Sequence, residues 1–409
     1  MDVLVVGGGI AGLALARALR RQDVPVTVAE RGDDDSGGLA INLPGNAITA
    51  FAVLGLADGL SKLGRPTERR EYRSSRDRLL FTVDEDAFWG PEARPRCVRR
   101  SDLLSLLSDG LDVTIRRSLP VTSVRPVAGG ADVEFGDDTS QRFGFVAGAD
   151  GVRSVVRATA IGATDTTRPA LLSAASWRFM APNPGVDCWT LWTGPGGAFL
   201  LIPVDDQQVY GYASATGGGP VSADAAWLRT SFRDYPAPVR TVLDALGSPG
   251  FPGPSDALGP SDALGPSAAL GPSDAFGAAG AAAGAPDATT RLYHSPIEEV
   301  RAPIWSAGRC VLVGDAAHAT SPVWDQGAAL AAEDALVLAE LLATTDWDDA
   351  GAHYERLRRD RVSHVQAATD RFSRVAALPT WLRHALLPAI GPRSYRDTFD
   401  PLRHPFPTP

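Results

Sequence analysis

Apolar residues recur along this chain with three different periods, and each period belongs to its own stretches. Val3-Leu4-Val5-Val6, Phe145-Val146-Ala147 and Cys310-Val311-Leu312-Val313 are unbroken apolar runs, and Val24–Ala29 is a fourth run rich in apolar residues. Short runs of this kind mark strands buried on both faces of a parallel sheet. Helical patterning follows at Leu13–Arg21, at the alanine- and leucine-rich stretch Ala328 to Leu342, and at Trp347–Leu387, where apolar positions are spaced around an arginine-rich face. Elsewhere the period drops to two, as in Leu79–Val83, Ser176–Met180 and Phe199–Pro203, which predicts a mostly antiparallel sheet. The expected fold is therefore α/β: a Rossmann-like parallel-sheet domain (1–68, 95–168 and 290–346) interrupted by an α+β domain (69–94 and 169–289). Residues 347–409 follow as C-terminal helices, with an extended tail expected from Pro388 onwards.

The first strand runs straight into Gly7-Gly8-Gly9-Ile10-Ala11-Gly12, with glycines at all three positions of the G-x-G-x-x-G spacing. Such a turn lets the backbone approach a pyrophosphate and presents the N–H groups of the next helix to it. Glu30 ends the second apolar run at the distance suited to a carboxylate that accepts ribose hydroxyls, and it disfavours a 2′-phosphate. Two further strands run into Gly148-Ala149-Asp150-Gly151 and Gly314-Asp315-Ala316-Ala317-His318, each placing an aspartate at a strand's carboxyl end, where ligands of open α/β sheets bind. Either aspartate could also serve as a helix N-cap. Three such elements spread over 300 residues fit one long dinucleotide, and FAD is the most economical choice.

These motifs, in this order, resemble the single-component (class A) flavoprotein monooxygenases of the para-hydroxybenzoate hydroxylase type, across nearly the whole chain. The resemblance implies an FAD-binding domain of the GR2 type. Its FAD contacts would fall on Gly7, Gly9, Ile10, Ala11, Gly12, Glu30, Arg31, Arg100, Asp150, Gly151, Gly314, Asp315, Pro322, Gln326, Gly327 and Ala328. Asp150 would lie beside the pyrophosphate and Asp315 would bind the ribityl chain, while Arg99 would be a solvated neighbour of Arg100. Gln326 and Gly327, opening the helix after Pro322-Val323-Trp324-Asp325, are the candidates for stabilising the negative charge that reduction places on the flavin. Asp325 and Trp324 depart from the family pattern: Asp325 would be a helix cap or, less favoured, a general base. His318 is expected to have a structural rather than acid–base role. Trp177, Arg178, Trp192, Tyr210 and Tyr212 are possible lining residues of a substrate pocket roofed by the antiparallel sheet, with Arg178 suited to an anionic or phenolate substrate.

The implied activity is monooxygenation: NADH or NADPH binds transiently and reduces FAD, O2 gives a flavin C4a-hydroperoxide, and an aromatic or other electron-rich small molecule is hydroxylated. A reductase or dehydrogenase of the same fold is the runner-up, and a flavin-binding protein without turnover is the reading from another class. Trp189-Thr190-Leu191-Trp192 does not match the pattern of flavin-dependent halogenases. Composition supports a soluble cytoplasmic enzyme, monomeric or homodimeric: 409 residues at 44% apolar allow two domains with a large core. A net charge of −9 disfavours nucleic acid, no apolar run is long enough to span a membrane, and no metal-ligand spacing of His or Cys is present. One segment stands apart. From Gly253 to Phe276 a six-residue Pro-Ser-Asp-Ala-Leu-Gly repeat recurs and then gives way to Ala and Gly up to Pro286. With a proline in each copy and one sizeable apolar residue it reads as a flexible insertion (253–286), not a β-solenoid.

Overall fold

The computed structural model of the chain describes residues 2–32, 39–162, 167–169, 176–215, 225–246, 292–295 and 298–404. The repeat at 253–286 lies outside the described residues. Val3–Val6 sits in the middle of a six-stranded sheet whose order is Ser306–Ala307, Cys310–Leu312, Phe145–Gly148, Val3–Val6, Val26–Ala29, Thr114–Arg116. All neighbours pair in parallel except the edge hairpin Ser306–Ala307/Cys310–Leu312. The apolar runs are explained by burial on both faces: every residue of Val3–Val6 and of Phe145–Gly148 is buried. Helix Ile10–Arg21 begins three residues before the apolar period does, because Ile10-Ala11-Gly12 is itself the first turn. Helix Gly327–Thr344 lies along it and is buried on nearly all sides. Alanine makes this possible, since small side chains let Gly45–Val53 and Trp347–Ala376 close in as well.

The second sheet has seven strands in the order Leu292–Ser295, Ser176–Pro182, Gln208–Ser214, Gly197–Pro203, Trp189–Gly194, Arg69–Ser74, Leu79–Asp84. Its pairs are antiparallel except Trp189–Gly194 with Arg69–Ser74. Alternation assigns its two faces to two cores. Trp177, Phe179, Trp192, Phe199 and Val209 pack under helices Ala225–Phe232 and Ala237–Leu246. Tyr72, Met180, Trp189, Leu200, Ile202, Tyr210 and Tyr212 turn the other way, into the core shared with the parallel sheet. Of the possible lining residues, Trp177 and Trp192 therefore pack under the helices, whereas Tyr210 and Tyr212 face the core shared with the parallel sheet.

The expected tail is a helix. Thr380–Arg403 runs on through Pro388, Pro392 and Pro401, and its Tyr395, Phe399 and Leu402 are buried. Their spacing of four and three residues puts them on one face. There Tyr395 and Phe399 meet Phe88, Trp89 and Trp324 edge-on, and this burial outweighs the helix-breaking tendency of the prolines.

Candidate active site

The three turns predicted to bind one dinucleotide do converge. Gly7 N–H donates to Ala29 O (2.8 Å), Ala149 N–H to Val6 O (2.8 Å) and Val313 N–H to Gly148 O (2.9 Å), so the turns leave adjacent strands at the same edge. Gly7 takes a φ of 107°, and a Cβ there would lie 2.4 Å from Ala149 O; a Cβ on Gly12 would lie 1.9 Å from Gly7 O. Those two glycines are demanded by the protein's own packing. Gly9 is different: a Cβ there would meet nothing within 4 Å. Open space therefore faces the start of helix Ile10–Arg21, where the N–H groups of Ile10, Ala11 and Gly12 precede the first helical bond, from Leu13 to Gly9 O (2.9 Å). Glu30 borders that space, accepting from Gly8 N–H (2.5 Å) and Gly32 N–H (2.8 Å); Arg31 is exposed beside it. A free backbone approach, orphan donors at a helix N-terminus and a fixed carboxylate suit the pyrophosphate and ribose of a dinucleotide.

The two motif aspartates part ways. Asp150 is a cap: it accepts from Ser154 Oγ (2.6 Å), Val155 N–H (2.7 Å) and Val156 N–H (3.2 Å). Burial raises its carboxyl above the usual range, against the pull of those bonds. Asp315 is not a cap. Helix Asp315–His318 has Gly314 at its cap position, Asp315 is exposed between buried neighbours, and its Oδ1 lies 3.9 Å from where a Cβ on Gly327 would be. Arg157, which sequence reasoning missed, joins the two motifs through Nη1 to Ala316 O (2.8 Å) and Nη2 to Val152 O (2.5 Å).

Beneath these turns lies a buried polar network. Asp334 accepts from Gly314 N–H (2.9 Å) and Arg358 Nε (2.8 Å) and bonds His318 Nε2 (2.7 Å), which gives His318 its structural role. Burial alone would raise the Asp334 carboxyl, but His318 and Arg358 overcome it and hold the group well below the carboxylate range. Next to it Glu333 binds Arg358 (2.8 Å) and Arg361 (2.8 Å) and accepts from Asn46 Nδ2 (3.1 Å). Arg361 also donates to the carbonyls of Pro401 (3.1 Å), Leu402 (2.9 Å) and His404 (3.3 Å). Gln326 is fully buried and exchanges both amide bonds with Asn46 (2.9 and 3.1 Å). Its side chain is thus tied into the core, and what the segment offers a ligand is backbone: the N–H groups of Gln326, Gly327 and Ala328 at a helix start.

Asp325 has a positive φ of 57° and does not cap that helix, contrary to expectation. Its Oδ2 accepts instead from Asn42 Nδ2 (2.7 Å) and pairs with Arg70 Nη1 (3.3 Å). The left-handed backbone turns the carboxylate away from the helix N–H groups and toward a fully buried guanidinium. Pro322 opens the short 3-10 turn Pro322–Trp324, and Trp324, bulky for this loop, is buried against Phe372 and Phe399. Arg178 shares the inner sheet face with Tyr210 and Tyr212; burial raises both phenols, Tyr212 to about 12, while Arg178 pulls them down. Arg100 opens helix Arg100–Ser108 and donates its N–H to Leu39 O (2.8 Å). Arg99 is not a free surface charge: it pairs with Asp205 (2.7 Å) and Gln208 (2.8 Å), fastening the strand Arg96–Arg99 to the second sheet. Among the described residues no cluster of His, Cys, Asp and Glu could hold a metal, and no helix is long and apolar enough to cross a membrane.

Known proteins resemble this chain over nearly its whole length. The model of the FAD binding domain family matches residues 1–219 and 277–371. The chain is 28% identical over 405 residues to 2-heptyl-3-hydroxy-4(1H)-quinolone synthase of Pseudomonas aeruginosa, covering 97% of this chain and 96% of that protein. It is 29% identical over 413 residues to 3-amino-4-hydroxybenzoate 2-monooxygenase of Streptomyces platensis, covering 96% and 93%. The crystal structure of Klebsiella pneumoniae HpxO with FAD and uric acid superposes with a TM-score of 0.81 at 24% identity, covering 100% of this chain and 98% of that one.

Proposed function

The chain belongs to the FAD binding domain family and is an FAD-dependent monooxygenase, and from that premise we propose that it hydroxylates a small, electron-rich aromatic molecule held under the inner face of the antiparallel sheet. The two relatives are named for a hydroxyquinolone and an aminohydroxybenzoate, both rings that carry oxygen and nitrogen donors. The observation that carries the substrate class is the roof itself: Arg178, Tyr210 and Tyr212 sit on one face, and Tyr210 lies within electrostatic range of Asp325. A guanidinium beside phenols in a buried setting suits a ring with a phenolate, enolate or carboxylate oxygen.

In this reading the turn at Gly9 to Gly12 holds the pyrophosphate, Glu30 the adenosine ribose, and Arg100, Gly151, Gly314 and Asp315 the remainder of the chain of FAD. Pro322 and the backbone N–H groups of Gln326 to Ala328 meet the ring. Asp150 acts at one remove, by fixing its turn through the cap. FAD when bound supplies two-electron redox chemistry and the activation of O2. The protein's part is to orient the ring through Arg178, to aim a helix start at developing negative charge, and to keep water out between the two sheets. NADH or NADPH visits the same cleft and leaves.

Purified holoprotein is to be incubated with NADH or NADPH, isotopically labelled O2 and a panel of phenols, hydroxybenzoates and quinolones. One labelled oxygen atom in a ring product is the expected result. Coenzyme consumption with no label in any ring product would overturn the proposed aromatic substrate class. Arg178→Met is expected to raise KM for an anionic substrate at least tenfold with a smaller change in kcat, as loss of a charge-assisted bond predicts.

A further inference from the structure

Asp325 lies two residues before the first residue of helix Gly327–Thr344, where the dipole and free N–H groups favour negative charge, so its carboxylate competes for the place that charge on a reduced flavin would take. Left alone, its carboxylate would either oppose two-electron reduction of a flavin bound there or turn and occupy those N–H groups itself. The structure prevents both with a residue from the other sheet. Arg70, on strand Arg69–Ser74, is only 1% exposed, and its guanidinium lies 5.0 Å from the Trp189 ring, 5.6 Å from Tyr395 and 5.7 Å from Phe399. Its Nε bonds Glu85 and its Nη1 reaches Asp325, while Asn42, from strand Ala40–Leu43, donates to the same carboxylate oxygen. Glu85 is in turn held by the Tyr395 hydroxyl (2.6 Å).

The other titratable groups around Asp325 are Tyr72, Tyr210 and Cys97, and burial favours the neutral form of each. Burial also raises the Asp325 carboxyl, and the Arg70 charge and the Asn42 amide act against that. The charges that matter are therefore one cation between two carboxylates.

We propose that Arg70 is a positioning residue for flavin reduction: by pairing with Asp325 it keeps that carboxylate off the start of helix Gly327–Thr344 and cancels much of its field there. The proposal rests on the reading that residues 325–328 meet the flavin ring. No sequence motif carries Arg70; it follows from the meeting of two sheets and a loop on one carboxylate oxygen.

The test is the midpoint potential of bound FAD, measured on the holoenzyme of the wild type, Arg70→Gln, Arg70→Lys, Asp325→Gly and the two Arg70 variants combined with Asp325→Gly. Glycine suits the positive φ at 325. Arg70→Gln is expected to weaken binding of reduced relative to oxidised FAD about tenfold, a fall of about 30 mV for a two-electron couple. In the Asp325→Gly background the same change is expected to have less than a threefold effect, because the residue through which Arg70 acts is gone. Arg70→Lys, keeping the charge without the fork that serves two carboxylates, is expected to fall between. Equal effects of Arg70→Gln in both backgrounds would overturn the pairing while leaving the segment beside the flavin. No shift in Asp325→Gly or in either Arg70 variant would instead remove residues 325–328 from the flavin ring. Should Arg70→Gln fail to fold, the Arg70→Lys pair of backgrounds decides by the same comparison.

Discussion

Gly9 and Gly12 occupy the same motif, yet a methyl group added to each would meet a different fate. At Gly12 the new Cβ would press to 1.9 Å from a carbonyl oxygen, so Gly12→Ala is expected to cost about 2–3 kcal/mol of stability in urea unfolding of the apoprotein. At Gly9 it would point into open space, so Gly9→Ala is expected to leave apoprotein stability unchanged while weakening FAD at least about tenfold by fluorescence titration. Asp334 gives a second prediction. Its carboxyl is depressed in the folded state, so its contribution is fully present above the ordinary carboxylate pKa and is lost as pH falls through the lower folded value. Asp334→Ala is therefore expected to cost about 3–5 kcal/mol at neutral pH. Below about pH 4 it should also flatten the fall of stability with acid by up to one proton, about 1.4 kcal/mol per pH unit, in denaturant titrations at stepped pH. Glycine spacing and strand-end aspartates were legible because motif and context lie within a dozen residues. Arg157, Arg70 and Asn42 were not, because the partners that tie them to the site (Ala316 for Arg157, Asp325 for the other two) lie 159, 255 and 283 residues away and no local pattern signals them.

Elements were legible where the period of apolar residues is tied to burial on a known side, as in the strands of the parallel sheet. Alternation in the antiparallel sheet predicted strands but not faces, since both faces are apolar here: one packs under two helices and the other against the parallel sheet. Helix Thr380–Arg403 was hidden by its prolines, and only tertiary contact with Trp89 and Trp324 accounts for it. The Tyr395 hydroxyl is central to that contact, donating to Glu85 (2.6 Å) and accepting from Trp89 Nε1 (3.1 Å). Tyr395→Phe leaves Trp89 Nε1 and one of the two Glu85 oxygens buried without this partner, and is expected to lower stability by about 1–3 kcal/mol in chemical denaturation while the bound-flavin spectrum is retained.

At the scale of the molecule, the family model itself steps over residues 220–276, which include the whole six-residue repeat from Gly253 to Phe276. Deleting 253–286 is expected to leave the ratio of FAD to protein unchanged, because a repeat with a proline and one sizeable apolar residue per copy has little to bury. Loss of soluble yellow protein on deletion would refute this. The strand order also carries a timetable. Strand Val3–Val6 has neighbours that begin at residues 26 and 145, and the next strand across begins at 310. Arg361 then secures Glu333 to the carbonyls of residues 401, 402 and 404. The glycine turn is therefore made well before strand Cys310–Leu312, and the two sides of the cleft meet only once both are present. Removing Pro401 to His404 would take those carbonyls from Arg361 and undo that fastening at a distance from the cleft.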